Sequence, residues 1–250
     1  MEISLAAEPI FHIGGFEVTN SLLTAWIVVA FLIIFALTLK KKFSKKPGGL
    51  QNLVEAIFEY FLGVMDSVTG SRKMSKRFFP IVTTIFIFVL FNNWIGLLPG
   101  VGTIGLHEIH NGHEVFVPLF RAGSADLNFT LAIAVIAVAA THFFGIAVLG
   151  VGKHVKKFIN LKSIIKDPIM FFVGILEIIG EIAKTISFSF RLFGNIFAGE
   201  VLLTVVAILV PYVAPLPFLF LEVFVGLIQA VVFAMLTLVF LSLQTVEHEH

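Results

Sequence analysis

Residues 168 to 210 read PIMFFVGILEIIGEIAKTISFSFRLFGNIFAGEVLLTVVAILV, an apolar run with no proline after its first residue. At 1.5 Å per residue a continuous helix of about 43 residues is about 64 Å long, roughly twice the ~30 Å hydrocarbon core of a bilayer. It cannot be one upright span. PYVAPLP, residues 211 to 217, breaks the chain, and a further apolar helix runs from Phe218 to Leu243. The spacing predicts a membrane-embedded helical hairpin over 168–243.

The rest of the chain fits that reading. Of 250 residues 58% are hydrophobic and 13% charged, and the mean hydropathy is +1.02. This composition excludes an ordinary soluble domain, and segments alternating polar and apolar in the manner of a membrane barrel are absent. The fold class is all-α: a polytopic helical membrane bundle. Upstream spans are expected at 21–39, 78–98 and 127–151. Residues 1–20 form an external N-terminal segment, 47–77 an amphipathic surface helix bearing Glu55, Glu59 and Asp66, and 99–126 an external polar loop. No basic region precedes the first apolar stretch, so no cleaved signal peptide is predicted.

Lysine and arginine positions orient the spans. Of 17, five lie in 40–46, four in 72–77 and five in 153–166, whereas 99–126 holds only Arg121. By the positive-inside rule the three basic segments are cytoplasmic. The N-terminus, the 99–126 loop and the PYVAPLP turn are then outside, and the C-terminal EHEH is cytoplasmic.

Six ionisable side chains lie within the hairpin: Glu177, Glu181, Lys184, Arg191, Glu200 and Glu222. Each charge at bilayer depth costs roughly 2.5–3.5 kcal/mol on insertion scales, so they should face protein or water. At about 100° per residue, Lys184, Glu177 and Asn195 fall within about 40° of Arg191 and Glu181 at about 80°, while Glu200 lies on the opposite side. If 211–217 is a tight turn, Glu222 comes opposite residue 206, within two turns of Glu200. Two carboxylates then share an outer pocket, Glu177 and Glu181 line an inner one, and Arg191 divides them. Arginine suits a divider because its guanidinium stays protonated when buried. A carboxylate ~4 Å away gains about 4 kcal/mol at an effective dielectric of 20, close to 3 pKa units, so a passing protonated acid is driven to release its proton. No obvious partner carboxylate lies on the Arg191 face at that depth within this chain, so the partner acid is expected on another subunit.

Plainer readings stand beside these. Glu177, Glu181 and Lys184 fit a structural ion-pair cluster as well as a pathway, and Glu222 lies near enough to the turn to sit in the interface. Arg191 is too deep in its run to snorkel. His107, His110 and His113 of the outer loop fit a solvated loop better than a metal site, and His142 reads as a core histidine. There is no cysteine, phosphate-binding loop, nucleophile elbow or HExxH motif, so the chain is expected to hydrolyse nothing and no cofactor or metal is assigned. A near-neutral net charge of +1 gives no reason to expect nucleic acid as a partner. A stand-alone transporter should show two repeated halves, and none is visible. A membrane scaffold with purely structural ion pairs is the other alternative.

At RLFGNIFAGE, residues 191–200, the sequence resembles subunit a of the F-type ATP synthase. SADLNFTLA at 124–132, GLLPG after the second span and FVGLIQAVVFAMLTLVFLS at 224–242 extend the likeness over about residues 20–245. The resemblance implies a non-catalytic stator channel of the proton-conducting membrane sector, in a bacterial-type inner membrane. Its partners would be the rotating c-subunit ring, the b-subunit peripheral stalk and the whole F1Fo complex. Arg191 would correspond to the arginine facing the ring carboxylates, with Asn195 and Gln229 near it. Glu200 would belong to the outer half-channel, Glu177 to the cytoplasmic one, and Glu222 falls where the family varies. Glu181, Lys184 and Ser187 are further candidates for the cytoplasmic half-channel. The histidine-bearing loop has no counterpart in the likeness.

Overall fold

A computed structural model describes residues 7–42, 48–98, 100–110, 113–152 and 168–245. The chain is an all-α polytopic membrane protein with two small hairpins attached. Six long helices carry it: α1 Asn20–Lys42, α2 Gly49–Thr69, α3 Arg72–Ile95, α4 Leu127–Leu149, α5 Pro168–Leu209 and α6 Pro215–Thr245. Five of them, all but α2, are long and apolar enough to cross a membrane.

The break between α2 and α3 has a local cause. Gly70 ends α2 in the left-handed region at φ 66°, donating its N–H to the Asp66 carbonyl, and Ser71 is extended at φ −150° before α3 starts at Arg72. A left-handed residue at a helix C-terminus is cheapest as glycine. The second spanning helix therefore begins before the apolar run opens at Phe78. Phe61 and Met65 in the second half of α2 are buried, whereas Leu53, Ile57 and Tyr60 nearer its start are exposed.

The core lies where α3, α4, α5 and α6 meet. One cluster joins Val89, Ala134, Phe188, Leu192, Ile196, Ala230 and Phe233. A second joins Phe61 and Met65 of α2 to Phe78 and Val82 of α3 and to Ala234, Leu238 and Leu241 of α6. Lipid tails are as apolar as these side chains, so contact area alone does little to bring spanning helices together. Close approach and polar contacts do more. Gly226 lets α6 approach α3: a Cβ there would stand 3.2 Å from Asn93 Cβ and 3.3 Å from Trp94 Cδ1. At that point Asn93 Nδ2 donates to the Gly226 carbonyl at 2.8 Å and Trp94 Nε1 to the Val223 carbonyl at 3.0 Å.

The hairpins were not foreseen from sequence. β1 Pro9–Ile13 pairs with β2 Phe16–Thr19, and β3 Gly105–His110 pairs antiparallel with β4 His113–Pro118 in the register Gly105↔Pro118 to His110↔His113. The segment read as a polar loop thus contains a ladder that satisfies its own backbone over 105–110 and 113–118. The side chains of His107, His110 and His113 lie outside the described residues. No group of three potential ligands placed to hold a metal ion occurs among the described residues.

Candidate ion-translocation site

The segment before α4 builds one end of the site. Asp126 caps α4, accepting from Asn128 N at 2.9 Å, and its other oxygen accepts from Ser21 Oγ at 2.6 Å. Asn20 Nδ2 donates to the Pro118 carbonyl at 3.2 Å, and Arg121 N donates to Thr24 Oγ1 at 3.2 Å. These bonds tie the start of α1 to the 118–126 segment and hold Arg121 inward, its side chain only 5% exposed. There it meets α5: Arg121 Nε lies 3.3 Å from Glu200 Oε2, and its guanidinium carbon stands 5.9 Å from the centre of the Phe197 ring. A buried guanidinium needs an anion, and a π face beside it adds attraction.

Glu222 is 6% exposed on α6 and lies against α5 at Gly199, where its carboxyl fills the space a Cβ would take. No hydrogen-bond donor reaches it among the described residues. A tight turn was expected to set Glu222 opposite residue 206. It sits opposite Gly199 instead, about two helical turns nearer Glu200, because α5 runs on to Leu209 while α6 starts only at Pro215. The two helices enter the turn at different levels.

Arg191 stands on a different face. It is exposed, as are Ser187 and Asn195 on the same stripe of α5, whereas Phe188, Ser189, Leu192 and Ile196 between them are buried. No ion pair or hydrogen bond engages Arg191 among the described residues. Gln229 of α6 is half-buried.

Toward the start of α5 a third group gathers. Glu181 Oε1 accepts from Lys184 Nζ at 2.7 Å and from Gln244 Nε2 of α6 at 3.0 Å, and Glu181 Oε2 lies 3.6 Å from His142 Nε2 of α4. Lys184 also stands 4.9 Å from the centre of the Phe240 ring. Glu177 is half-buried one turn before Glu181. Three helices meet at this one carboxylate.

Two partners escaped sequence reasoning. Arg121 counted only as a loop charge, although a single cation in an otherwise acidic and neutral external loop was a usable signal. His142, read as a core residue, turns to a carboxylate contributed by another helix.

The arrangement is a membrane hairpin with an exposed mid-helix arginine, unpaired among the described residues, and acidic groups displaced toward either end. Residues 22–242 match the family model described as ATP synthase A chain. The chain belongs to that family. It is 34% identical to ATP synthase subunit a of Campylobacter jejuni subsp. jejuni over 239 residues, covering 96% of this chain and 90% of the relative. It is 30% identical to ATP synthase subunit a of Moorella thermoacetica, covering 93% and 94%. To the chloroplastic ATP synthase subunit a of Stigeoclonium helveticum it is 35% identical, covering 100% and 94%. Family membership and the five spanning helices describe a multi-pass membrane subunit of an ATP synthase, and both bear out the resemblance seen at RLFGNIFAGE.

Proposed function

We propose that this chain is the stator channel of the membrane sector, itself without hydrolytic activity, conducting protons through two offset half-paths to and from carboxylates on a rotating c-subunit ring. The b-subunit stalk would hold it against the catalytic head. The supporting observation is the exposure of Arg191 on α5. A permanent cation at bilayer depth costs several kcal/mol unless an anion meets it, and here none does within the described chain. The exposed stripe of Ser187, Arg191 and Asn195, with Gln229 across the seam, suits a ring passing one carboxylate after another.

In this reading a proton arrives from outside past Glu222 and Glu200 and neutralises a ring carboxylate, which then travels through lipid. On reaching the inner path it meets the field of Arg191 and releases its proton toward Glu177, Glu181, Lys184 and Ser187. Arg191 keeps the two paths from joining. Each elementary charge moved through 100 mV supplies about 2.3 kcal/mol, so several protons are needed per ATP. The basic segments place the N-terminus outside and the C-terminus in the cytoplasm of a bacterial-type cell, across its inner membrane. The long, steeply inclined hairpin would follow the curve of the ring.

The test is an Arg191→Ala complex, checked for normal assembly. ATP synthesis should be abolished; synthesis at the parent rate overturns the assignment. Pumping with and without sodium distinguishes the coupling ion, and sodium independence is expected.

A further inference from the structure

Eight histidines occur in the chain, and among the described residues His142 alone lies in a spanning helix. Its side chain is 29% exposed, against 13% for the Glu181 it faces. The two oxygens of Glu181 are used differently: Oε1 is taken by Lys184 and Gln244, and Oε2 is left to the imidazole. Glu181 and Lys184 are committed to each other as an ion pair. A group that passes protons at neutral pH must be able to hold and release one there, and in this cluster only the imidazole has that property unaided. The cluster lies about 15 Å along α5 from Arg191, on the side of the basic cytoplasmic segments. Among the described residues the charged groups gathered at this cluster are Glu181 and Lys184 from α5, and Gln244 of α6, which bonds Glu181, is uncharged. α3 touches α4 through Phe78 against Phe144, and its basic first turns, Arg72 to Arg77, lie toward the same membrane face.

We propose that His142 is a proton-exchange residue of the inner half-path and that Glu181 is its positioning counter-ion, an inference that rests on the reading of the chain as a proton-conducting stator. One imidazole nitrogen accepts a proton from water on the ring-facing side. The other nitrogen gives its proton to cytoplasmic water, leaving a neutral ring with its tautomer exchanged. No charge is left behind. At 3.6 Å the Nε2–Oε2 separation exceeds a direct hydrogen bond, so Glu181 attracts the imidazolium without trapping the proton. Lys184 and Gln244 hold Glu181 in place while the imidazole cycles.

The experiment uses the whole ATP synthase in liposomes, catalytic head outward, with the outer medium varied from about pH 5.5 to 8.5. ATP-driven pumping by a His142→Gln complex is divided by that of the parent at each pH, which cancels the pH dependence of the shared catalytic head. The ratio should fall by about tenfold or more over part of this range and change with pH, as the loss of a proton-exchanging group requires. A ratio near one throughout overturns the proposal. So does a ratio that is low but flat, the sign of a structural role. A Glu181→Gln complex supplies a second variant, in which the inflection of the parent should be displaced; an unmoved inflection denies Glu181 its part. An Arg191→Ala complex run alongside separates the two levels. If it still synthesises ATP the channel reading itself fails, whereas its inactivity beside an unaltered His142→Gln profile removes only the present inference.

Discussion

The carboxyl of Glu222 and the Cα of Gly199 meet across the α5–α6 seam, where the acid occupies the space any larger residue at 199 would need. Among the described residues Glu222 is therefore positioned by a missing side chain rather than by a hydrogen bond. Gly199→Ala should push Glu222 aside at an overpacking cost of roughly 1–3 kcal/mol and reduce proton-driven ATP synthesis as far as Glu222→Gln does. Adding Glu222→Ser to Gly199→Ala should restore assembly without restoring flow. ATP synthesis and complex yield, measured together, distinguish these outcomes.

Arg121 and Glu200 form the second outer relationship. Removing one member of a buried pair strands the other: Arg121→Leu should destabilise the complex by about 3 kcal/mol, the low end for such pairs because Glu200 keeps some exposure. The Arg121→Leu/Glu200→Leu double variant should recover most of that stability. Proton flow should stay low in both. Thermal dissociation in detergent and ATP-driven pumping give the two readings.

Asn93 joins α3 to α6 through the Gly226 carbonyl. Asn93→Ala loses that bond between the two helices, while the Gly226 carbonyl keeps its place in the α6 ladder, and should cost roughly 0.5–1.5 kcal/mol. The melting temperature of the purified complex is the measurement. Asn93→Gln, too long for the gap, should not rescue it.

At the α2–α3 corner, outside the apolar spans, Asp66 accepts from Arg72 Nη1 at 2.8 Å, and Arg72 also pairs with Glu59. Hydrogen bonding by Ser75 first, then by Arg72, holds the Asp66 carboxyl below its ordinary value of 3.8. The folded corner thus binds fewer protons than the unfolded one near that pH. Its contribution is complete above pH 3.8 and disappears as the pH falls through the lowered value. A fluorophore on a cysteine introduced at Leu53, in a chain with no cysteine of its own, should report α2 loosening in acid. Asp66→Asn should remove that acid transition.

Helix number and type were legible because apolar run length is a coarse quantity that membrane thickness enforces. The separation of Arg191 from Glu200 was equally readable, since 100° per residue needs no tertiary information. What escaped depended on contacts between distant segments. Arg121 finds Glu200 only after the 118–126 segment folds under α1, and no local pattern specifies that path. Glu222 was misplaced by two turns because reflection across a turn assumes that both helices reach it at one level. The β3–β4 ladder was hidden by His, Glu and Gly, which are weak strand formers whose pairing is secured by backbone bonds. His142 was read by its helix alone, and its significance came from α5 and α6.

The Arg121–Glu200 pair also constrains how the protein is made. The two residues are 79 positions apart in the chain. At about 5–20 residues per second, the cation leaves the ribosome roughly 4–16 s before the acid that will neutralise it. Insertion of the hairpin is thus the step that brings Glu200 to Arg121.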